Sequence, residues 1–84
     1  MDNENLKYYE EMVHAEDAIK FEGFDYAIIG VSIDGYYVYE YDTMASILID
    51  NDDMTMGEAY EYLDYNVLCI NGGKGFVVIH SLEV

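Results

Sequence analysis

Carboxylates are the most abundant side chains here with chemistry to offer. The 84 residues include 18 Asp and Glu but only 3 Lys and Arg. A pair of carboxylates can act as general acid and base when a pocket pushes their pKa values apart. No pair in this sequence is distinguished by its spacing from the acids of an ordinary solvated helix face. We therefore predict that the protein is not an enzyme and has no catalytic residues.

The other reactive residues are two histidines and one cysteine. His14 falls in a predicted helix and His80 at the end of a predicted strand, and neither has a Ser or Cys at the spacing of a nucleophile. Cys69 lies in the apolar run 67–70, so we expect a buried and inert thiol. A single cysteine also excludes a disulfide or a cysteine zinc site within one chain.

The acidic run 50–53 resembles the start of a calcium loop, but its spacing is wrong. An EF-hand loop starting at Asp50 requires an oxygen ligand at the fifth position and glycine at the sixth. Met54 and Thr55 stand there, although Glu61 does fall at the twelfth position. The glycine-rich run 72–75 likewise lacks the spacing of a phosphate-binding loop. We predict no metal site and no cofactor.

The charge is the strongest indication of a partner. The formal net charge is -15 at pH 7, and residues 34–64 contain nine acids and no Lys or Arg. Such a surface disfavours nucleic acid and anionic membranes and complements a basic protein. The predicted partner-binding residues are Asp34, Glu40, Asp42, Asp50, Asp52, Asp53, Glu58, Glu61 and Asp64, together with Tyr37, Tyr39 and Tyr41.

One domain over residues 1–84 must position these side chains, because the chain is too short for two. An apolar content of 52% favours folding over disorder. The N-terminus lacks the features of a signal peptide, and no run approaches the roughly 20 apolar residues of a membrane span. We expect a soluble protein of the host-cell cytoplasm, with homodimer formation left open.

The sequence pattern predicts an α+β fold with an antiparallel sheet packed by helices. Asn3 or Asn5 would cap a first helix that runs to about Lys20. A hairpin follows, in which a two-residue turn at Asp34-Gly35 would pair Val31 with Val38. This register would place a tyrosine stripe, defined as Tyr26, Tyr37, Tyr39 and Tyr41, on one side of the hairpin.

Two short helices and a second hairpin complete the predicted order. Asp42 and Thr43 would cap the first of these helices, and the run 50–53 would form a polar turn. Thr55 and Glu58 have the spacing of a capping box for the second, with Ala59, Tyr62 and Leu63 pointing inward. The closing hairpin would join strands 67–70 and 76–80 across the glycine-rich run.

The tyrosine stripe allows two interpretations. In the first, its rings pack beneath a helix with their hydroxyls at the rim of the core. In the second, the rings are exposed anchors for a partner, because tyrosine is enriched at binding hot spots.

The segment from about residue 24 to residue 70 resembles a group of small acidic proteins encoded by phages and prophages. The similarity is carried by Phe24-Asp25-Tyr26-Ala27-Ile28-Ile29-Gly30-Val31, by Tyr39-Glu40-Tyr41-Asp42 and by the Met-Thr-x-x-Glu-Ala turn and Tyr-Asn exit of residues 54–67. Many members of the group continue with glycines and a Thr-Pro pair, whereas this chain has no proline. The resemblance implies a phage or prophage setting and transfers no catalytic residue.

Two functional hypotheses follow. The first is a phage-encoded inhibitor that mimics nucleic acid and occupies the basic groove of a host defence enzyme, of anti-CRISPR or anti-restriction type. The second is a non-enzymatic accessory module that assembles with itself or with another phage protein. The first predicts binding that weakens steeply with salt, whereas assembly through apolar surface would survive high salt.

Overall fold

The computed structural model describes residues 4–80 and shows the predicted α+β class. Three strands form one sheet in the order β1-β2-β3. Single 3-10 turns occupy Asp25–Ala27 and Ile70–Gly73. The helices and strands are α1 (Leu6–Met12), β1 (Ile28–Val31), β2 (Tyr37–Glu40), α2 (Tyr41–Asp52), α3 (Met56–Asn66) and β3 (Val77–Ile79). Within residues 4–80, no helix combines the length and the apolar character needed to cross a membrane.

The first helix is much shorter than predicted. It ends at Met12 instead of near Lys20. Asn5 occupies the N-cap position without a side-chain hydrogen bond to the helix, and the other candidate cap, Asn3, lies outside the described residues. The helix stops early because several backbone N–H groups beyond it bond to distant parts of the chain rather than to the preceding turn.

Residues 13–24 form an irregular segment, here called the strap, that ties α1 to the sheet. The N–H groups of residues 14 and 15 both donate to the carbonyl oxygen of Gly35 at 3.2 Å. The N–H of Ile19 donates to the carbonyl oxygen of Gly75 at 2.8 Å. Gly75 has a φ of +97°, and a Cβ there would lie 2.7 Å from a backbone oxygen of the strap. This close approach therefore requires glycine.

The predicted β1–β2 hairpin forms, but its register is shifted by one residue. Val31 pairs with Tyr37, one position before its predicted partner. A two-residue type I′ turn needs a positive φ at both central residues, and within the loop 32–36 only Gly35 has one, at +92°. The N–H of Ser32 donates to the carbonyl oxygen of Tyr36 at 2.8 Å. The connection is therefore a three-residue loop.

Helix α2 extends further in both directions than predicted. Glu40 occupies its N-cap position in place of Asp42, and the Thr43 hydroxyl donates a short hydrogen bond to the Glu40 carboxylate. Asp50 and Asp52 belong to the last turn of the helix rather than to a polar turn.

Helix α3 begins with the predicted capping box. The Thr55 hydroxyl accepts a hydrogen bond from the N–H of Glu58 at 3.2 Å, and the Glu58 carboxylate accepts one from the N–H of Thr55 at 2.9 Å. Asp53, the residue that ends α2, has a φ of 55°, a conformation that Asp tolerates better than most residues. Local sequence chemistry therefore determines this helix–helix junction.

The predicted C-terminal hairpin is absent. Residues 67–70 continue from α3 as a series of turns, and the strand beyond the glycines, β3, pairs in parallel with β2, with Tyr39 opposite Val78. The sheet is therefore mixed rather than antiparallel. Parallel neighbours require a long crossover, which α2 and α3 supply. A short apolar run such as 67–70 is compatible with either a strand or a helical turn, which explains the wrong prediction.

The core lies between the sheet and the two longer helices. Its buried side chains include Phe24, Ala27, Ile28, Tyr37, Tyr39, Met44, Ala45, Leu48, Ala59, Leu63, Val67 and Phe76. Helix α2 packs against both β2 and α3, so it joins the sheet to the outer helix.

Two burial predictions are wrong. Cys69 is exposed, and its thiol donates to the carbonyl oxygen of Asp64 at 3.1 Å. Tyr62 is 39% exposed, whereas Leu63 beside it is fully buried as predicted. In the turns that follow α3, Val67 enters the core and Cys69 does not.

Candidate acidic interface

Three adjoining depressions run beside α2 and α3, with volumes of about 480, 190 and 290 Å³. The first two share Gly23, Ile47 and Asn51, and the last two share Tyr62. They form one continuous surface, here called the acidic groove. Its lining carboxylates are Glu22, Asp25, Asp50, Asp52, Glu58 and Glu61. Negative charge is therefore distributed along the whole length of the groove.

Secondary structure positions these carboxylates. Asp50 and Asp52 lie in the last turn of α2, and Glu58 and Glu61 lie in the first two turns of α3. The hydrogen bond from the backbone N–H of Thr55, followed by the one from its side chain, lowers the pKa of Glu58. Glu58 is therefore held in a defined position and stays ionised to lower pH than an ordinary glutamate.

Positive charge hardly enters the groove. No residue lining it is Lys, Arg or His. Lys20 comes nearest, with Nζ 2.7 Å from Glu10 and 3.9 Å from Asp25. Its hydrogen bond to Glu10 is the main cause of the raised pKa of Lys20. This cation therefore makes its closer ion pair with an acid outside the groove.

Apolar and aromatic groups are interspersed with the carboxylates. Tyr26 is 46% exposed, Tyr65 is 73% exposed, and Ile47 is half-buried on the wall shared by two depressions. Exposed tyrosine rings provide contact area at a low entropic cost. The groove can therefore make both ionic and apolar contacts with a partner.

A second cluster lies between α3 and β3, outside the acidic groove. The Tyr41 hydroxyl donates to Asp64 at 2.9 Å, and the Tyr60 hydroxyl donates to Asp42 at 3.1 Å. The two rings stack with centroids 5.2 Å apart. His80 Nδ1 lies 3.7 Å from Asp42. Desolvation, followed by the hydrogen bond to Asp64, raises the pKa of Tyr41 to about 12.

The structure separates the predicted partner-binding residues into several places. Asp50, Asp52, Glu58 and Glu61 share the acidic groove, and exposed Asp53 lies in the junction between α2 and α3. Tyr41, Asp42 and Asp64 belong to the second cluster. Glu40 occupies the N-cap position of α2 without a side-chain hydrogen bond to the helix backbone, and Asp34 is exposed in the hairpin loop.

Tyr37 and Tyr39 belong to the core instead, with exposures of 7% and 0%. The first interpretation of the stripe, rings packed in the interior, describes these two residues. Tyr26, by contrast, is exposed and lines the acidic groove. The stripe is therefore not a single surface.

Sequence reasoning missed several groove residues, above all Glu22 and Asp25. Both flank the turn at Gly23 and meet α2 only in the tertiary structure. Tyr62 and Tyr65 were detectable in principle. They follow Glu58 and Glu61 at helical spacing, which places all four side chains on one side of α3.

No metal centre accompanies these acids. Among residues 4–80, no group of three or more His, Cys, Asp or Glu side chains could hold a metal ion. The carboxylates of the groove are spread along a surface rather than directed at one point.

Comparison with known proteins gives no relative on which to base a function. No family model matches the chain, and neither a curated protein nor a solved structure matches it significantly.

Proposed function

We propose that this protein is a non-enzymatic acidic inhibitor that mimics nucleic acid and occupies the basic groove of a nucleic-acid-binding protein. One observation carries the proposal, namely the acidic groove with its six carboxylates and no cationic lining residue. A basic groove that normally neutralises phosphates offers the complementary charge.

The spacing of the carboxylates supports this class of partner. An α-helix rises about 1.5 Å per residue, so Glu58 and Glu61 are separated by about 4.5 Å along the axis of α3. Asp50 and Asp52 are separated by about 3 Å along α2. Phosphates follow one DNA strand at about 3.4 Å per step along the helix axis. The axial rise between successive acids on each helix is therefore similar to the axial rise between successive phosphates of one strand.

Apolar contacts would add to this charge complementarity. The exposed rings of Tyr26, Tyr62 and Tyr65 lie among the carboxylates. Tyrosine is a frequent hot-spot residue, whereas surface ion pairs alone contribute little affinity. Charge would accelerate association, and the rings would slow dissociation.

The resemblance to phage and prophage proteins suggests the kind of partner. A phage benefits from blocking nucleic-acid-binding defence enzymes of its host, so a CRISPR effector or a restriction enzyme is the proposed target. The inhibitor would act in the host cytoplasm.

The proposal predicts that host-protein capture depends on the groove acids. The triple variant D50N/D52N/D53N removes two groove charges and the adjacent charge of Asp53 with little change in side-chain size. Asn also tolerates the left-handed conformation of residue 53. We expect tagged wild-type protein to retain a basic nucleic-acid-binding enzyme from host lysate at low salt and to release it at high salt. The triple variant should retain much less of this enzyme.

A matched control uses three acids outside the groove. The variant E4Q/E11Q/E16Q makes the same change in net charge at exposed positions in or near α1. It should capture the same enzyme nearly as well as the wild type. Equal retention by the wild type and by D50N/D52N/D53N would show that Asp50, Asp52 and Asp53 are not the contact.

An assembly module remains the second candidate because β3 is an edge strand without charged residues. Ile79 within it is 40% exposed. Unprotected apolar edges favour strand pairing with another chain. Retention of only salt-resistant copies of the protein itself would support this candidate over the inhibitor.

A further inference from the structure

A cavity of about 290 Å³ lies between the end of α3 and β3, outside the acidic groove. Its lining residues are Tyr41, Asp64, Leu68, Val78, Ile79 and His80. We propose that this cavity, here called the anchor pocket, binds one basic side chain, lysine or arginine. The inference rests on the proposed function, because the basic partner would supply that side chain.

One wall of the anchor pocket presents a fixed negative charge. The Asp64 carboxylate accepts the Tyr41 hydroxyl hydrogen bond through Oδ1 at 2.9 Å. The Tyr41 bond uses only one of the two acceptor oxygens of this carboxylate, and Oδ2 is the other. An ammonium or guanidinium group can therefore bind this oxygen while the tyrosine holds the carboxylate in place.

Aromatic rings form a second wall. The rings of Tyr41 and His80 meet at 72°, with centroids 5.2 Å apart. Such a corner offers a π face to a cation, which contributes attraction beyond the carboxylate charge. Asp42 lies 3.7 Å from Nδ1 of the imidazole, so a second carboxylate adds negative charge near the corner.

The floor of the pocket is apolar. Leu68, Val78 and Ile79 provide hydrocarbon surface, and the lining contains no Lys or Arg. Lysine and arginine carry long hydrocarbon stems below their charged ends. A small carboxylate-walled cavity with an apolar floor matches both parts of such a side chain, whereas an anion would meet Asp64.

The position of the pocket connects it to the acidic groove. Glu61 lines the groove and Asp64 lines the pocket, and residues three apart are neighbours on a helix surface. A basic partner that covers α3 would therefore reach both features. The groove would collect diffuse positive charge, and the pocket would fix one residue of the partner.

The test uses small probes and needs no partner protein. Isotope-labelled full-length protein is titrated with Nα-acetyl-lysine N-methylamide, and separately with its arginine and norleucine equivalents, at pH 8 and physiological salt. We expect saturable amide shifts around Asp64, Leu68 and residues 78–80 with the two cationic probes. The norleucine probe has the stem without the charge and should bind at least about tenfold more weakly.

Two variants check the assignment. D64N keeps the shape of the side chain and an acceptor for Tyr41, and it should weaken binding of the lysine probe at least about tenfold. E11Q removes one charge from α1, outside the pocket, and should bind the probe like the wild type. The amide spectra themselves report whether each variant is folded.

The anchor pocket is disproved if the shifts do not saturate, or if D64N binds the lysine probe as tightly as wild type does. Shifts spread over the acidic groove would likewise indicate only diffuse attraction of cations. None of these results bears on partner capture by the groove acids. A failed pocket and a failed inhibitor hypothesis are therefore distinguishable.

Discussion

At the scale of single residues, Tyr39 shows how a polar group is accommodated in this small core. It is fully buried, and its ring packs edge-on against Phe21 with centroids 5.4 Å apart. Its hydroxyl accepts from the N–H of Phe21 at 2.8 Å and donates to the carbonyl oxygen of Ile19 at 3.3 Å. One side chain on β2 thus satisfies two backbone groups of the strap.

We expect Tyr39→Phe to lower the free energy of unfolding by about 1–3 kcal/mol, because the Phe21 N–H and the Ile19 carbonyl lose a partner. Chemical denaturation at pH 7 measures the difference. Tyr8→Phe, at a position that is 62% exposed, serves as the control and should be nearly neutral. A neutral Tyr39→Phe would show that water replaces both hydrogen bonds.

The loss of stability caused by Tyr39→Phe should depend on pH. Burial raises the pKa of Tyr39 to about 12, above its ordinary value of 10.0. A raised pKa means that the neutral phenol stabilises the folded state below pH 10.0 and that this contribution disappears as the pH approaches about 12. The difference between wild type and Tyr39→Phe should therefore shrink across that range.

At the scale of elements, the junction of α2 and α3 orients the acids of the groove. We expect Thr55→Ala to reduce stability by about 1 kcal/mol, since α3 loses its side-chain cap. Thermal unfolding monitored by circular dichroism measures the effect. Ser46→Ala, at an exposed position within α2, is the control and should be neutral or slightly stabilising.

The contribution of the Glu58 carboxylate to the capping box should appear in the dependence of stability on acidic pH. The pKa of Glu58 is lowered mainly by the N–H of Thr55. A lowered pKa contributes stability above the ordinary glutamate value of 4.5 and loses it as the pH falls below that value. Thr55→Ala should lose less stability than wild type over this acidic range. If wild type and Thr55→Ala lost the same amount of stability over this pH range, the Thr55 side chain would not contribute to holding Glu58.

At the scale of the whole molecule, a charge of -15 is confined to a small body. The radius of gyration is 12.6 Å, close to the value of about 12 Å expected for a compact chain of this length. The longest dimension is 35 Å, about one turn of duplex DNA. The molecule is therefore large enough to cover one turn's length of a nucleic-acid-binding groove.

Self-repulsion should make the fold salt-dependent. We expect the Tm to rise when NaCl increases from about 10 mM to about 500 mM, because screening weakens repulsion among the acids. A gain of about 1 kcal/mol corresponds to roughly 4–8 °C. The variant E4Q/E11Q/E16Q has a net charge of -15 plus 3, or -12, and should respond less. A Tm that falls with salt would indicate that attractive ion pairs dominate instead.

Local chemistry was readable from the sequence alone. The capping box of Thr55 and Glu58, the presence of a hairpin between β1 and β2, though not its register, and the buried positions of Ala59 and Leu63 were predicted and are confirmed. Each of these features depends on residues that are close in the chain, so periodicity and turn chemistry suffice to reveal it.

Tertiary contacts decided the rest. The first helix ends at Met12 because backbone N–H groups of the strap donate hydrogen bonds to the carbonyl oxygens of Gly35 and Gly75, which are far along the chain. The last apolar run yields a single parallel strand because β2 is the neighbour it reaches after the α2–α3 crossover. The acidic groove belongs to the same level, since Glu22 and Asp25 meet Asp50 and Asp52 only after folding. Net charge and local elements were thus set by the sequence pattern, whereas the grouping of charges into a groove required long-range packing.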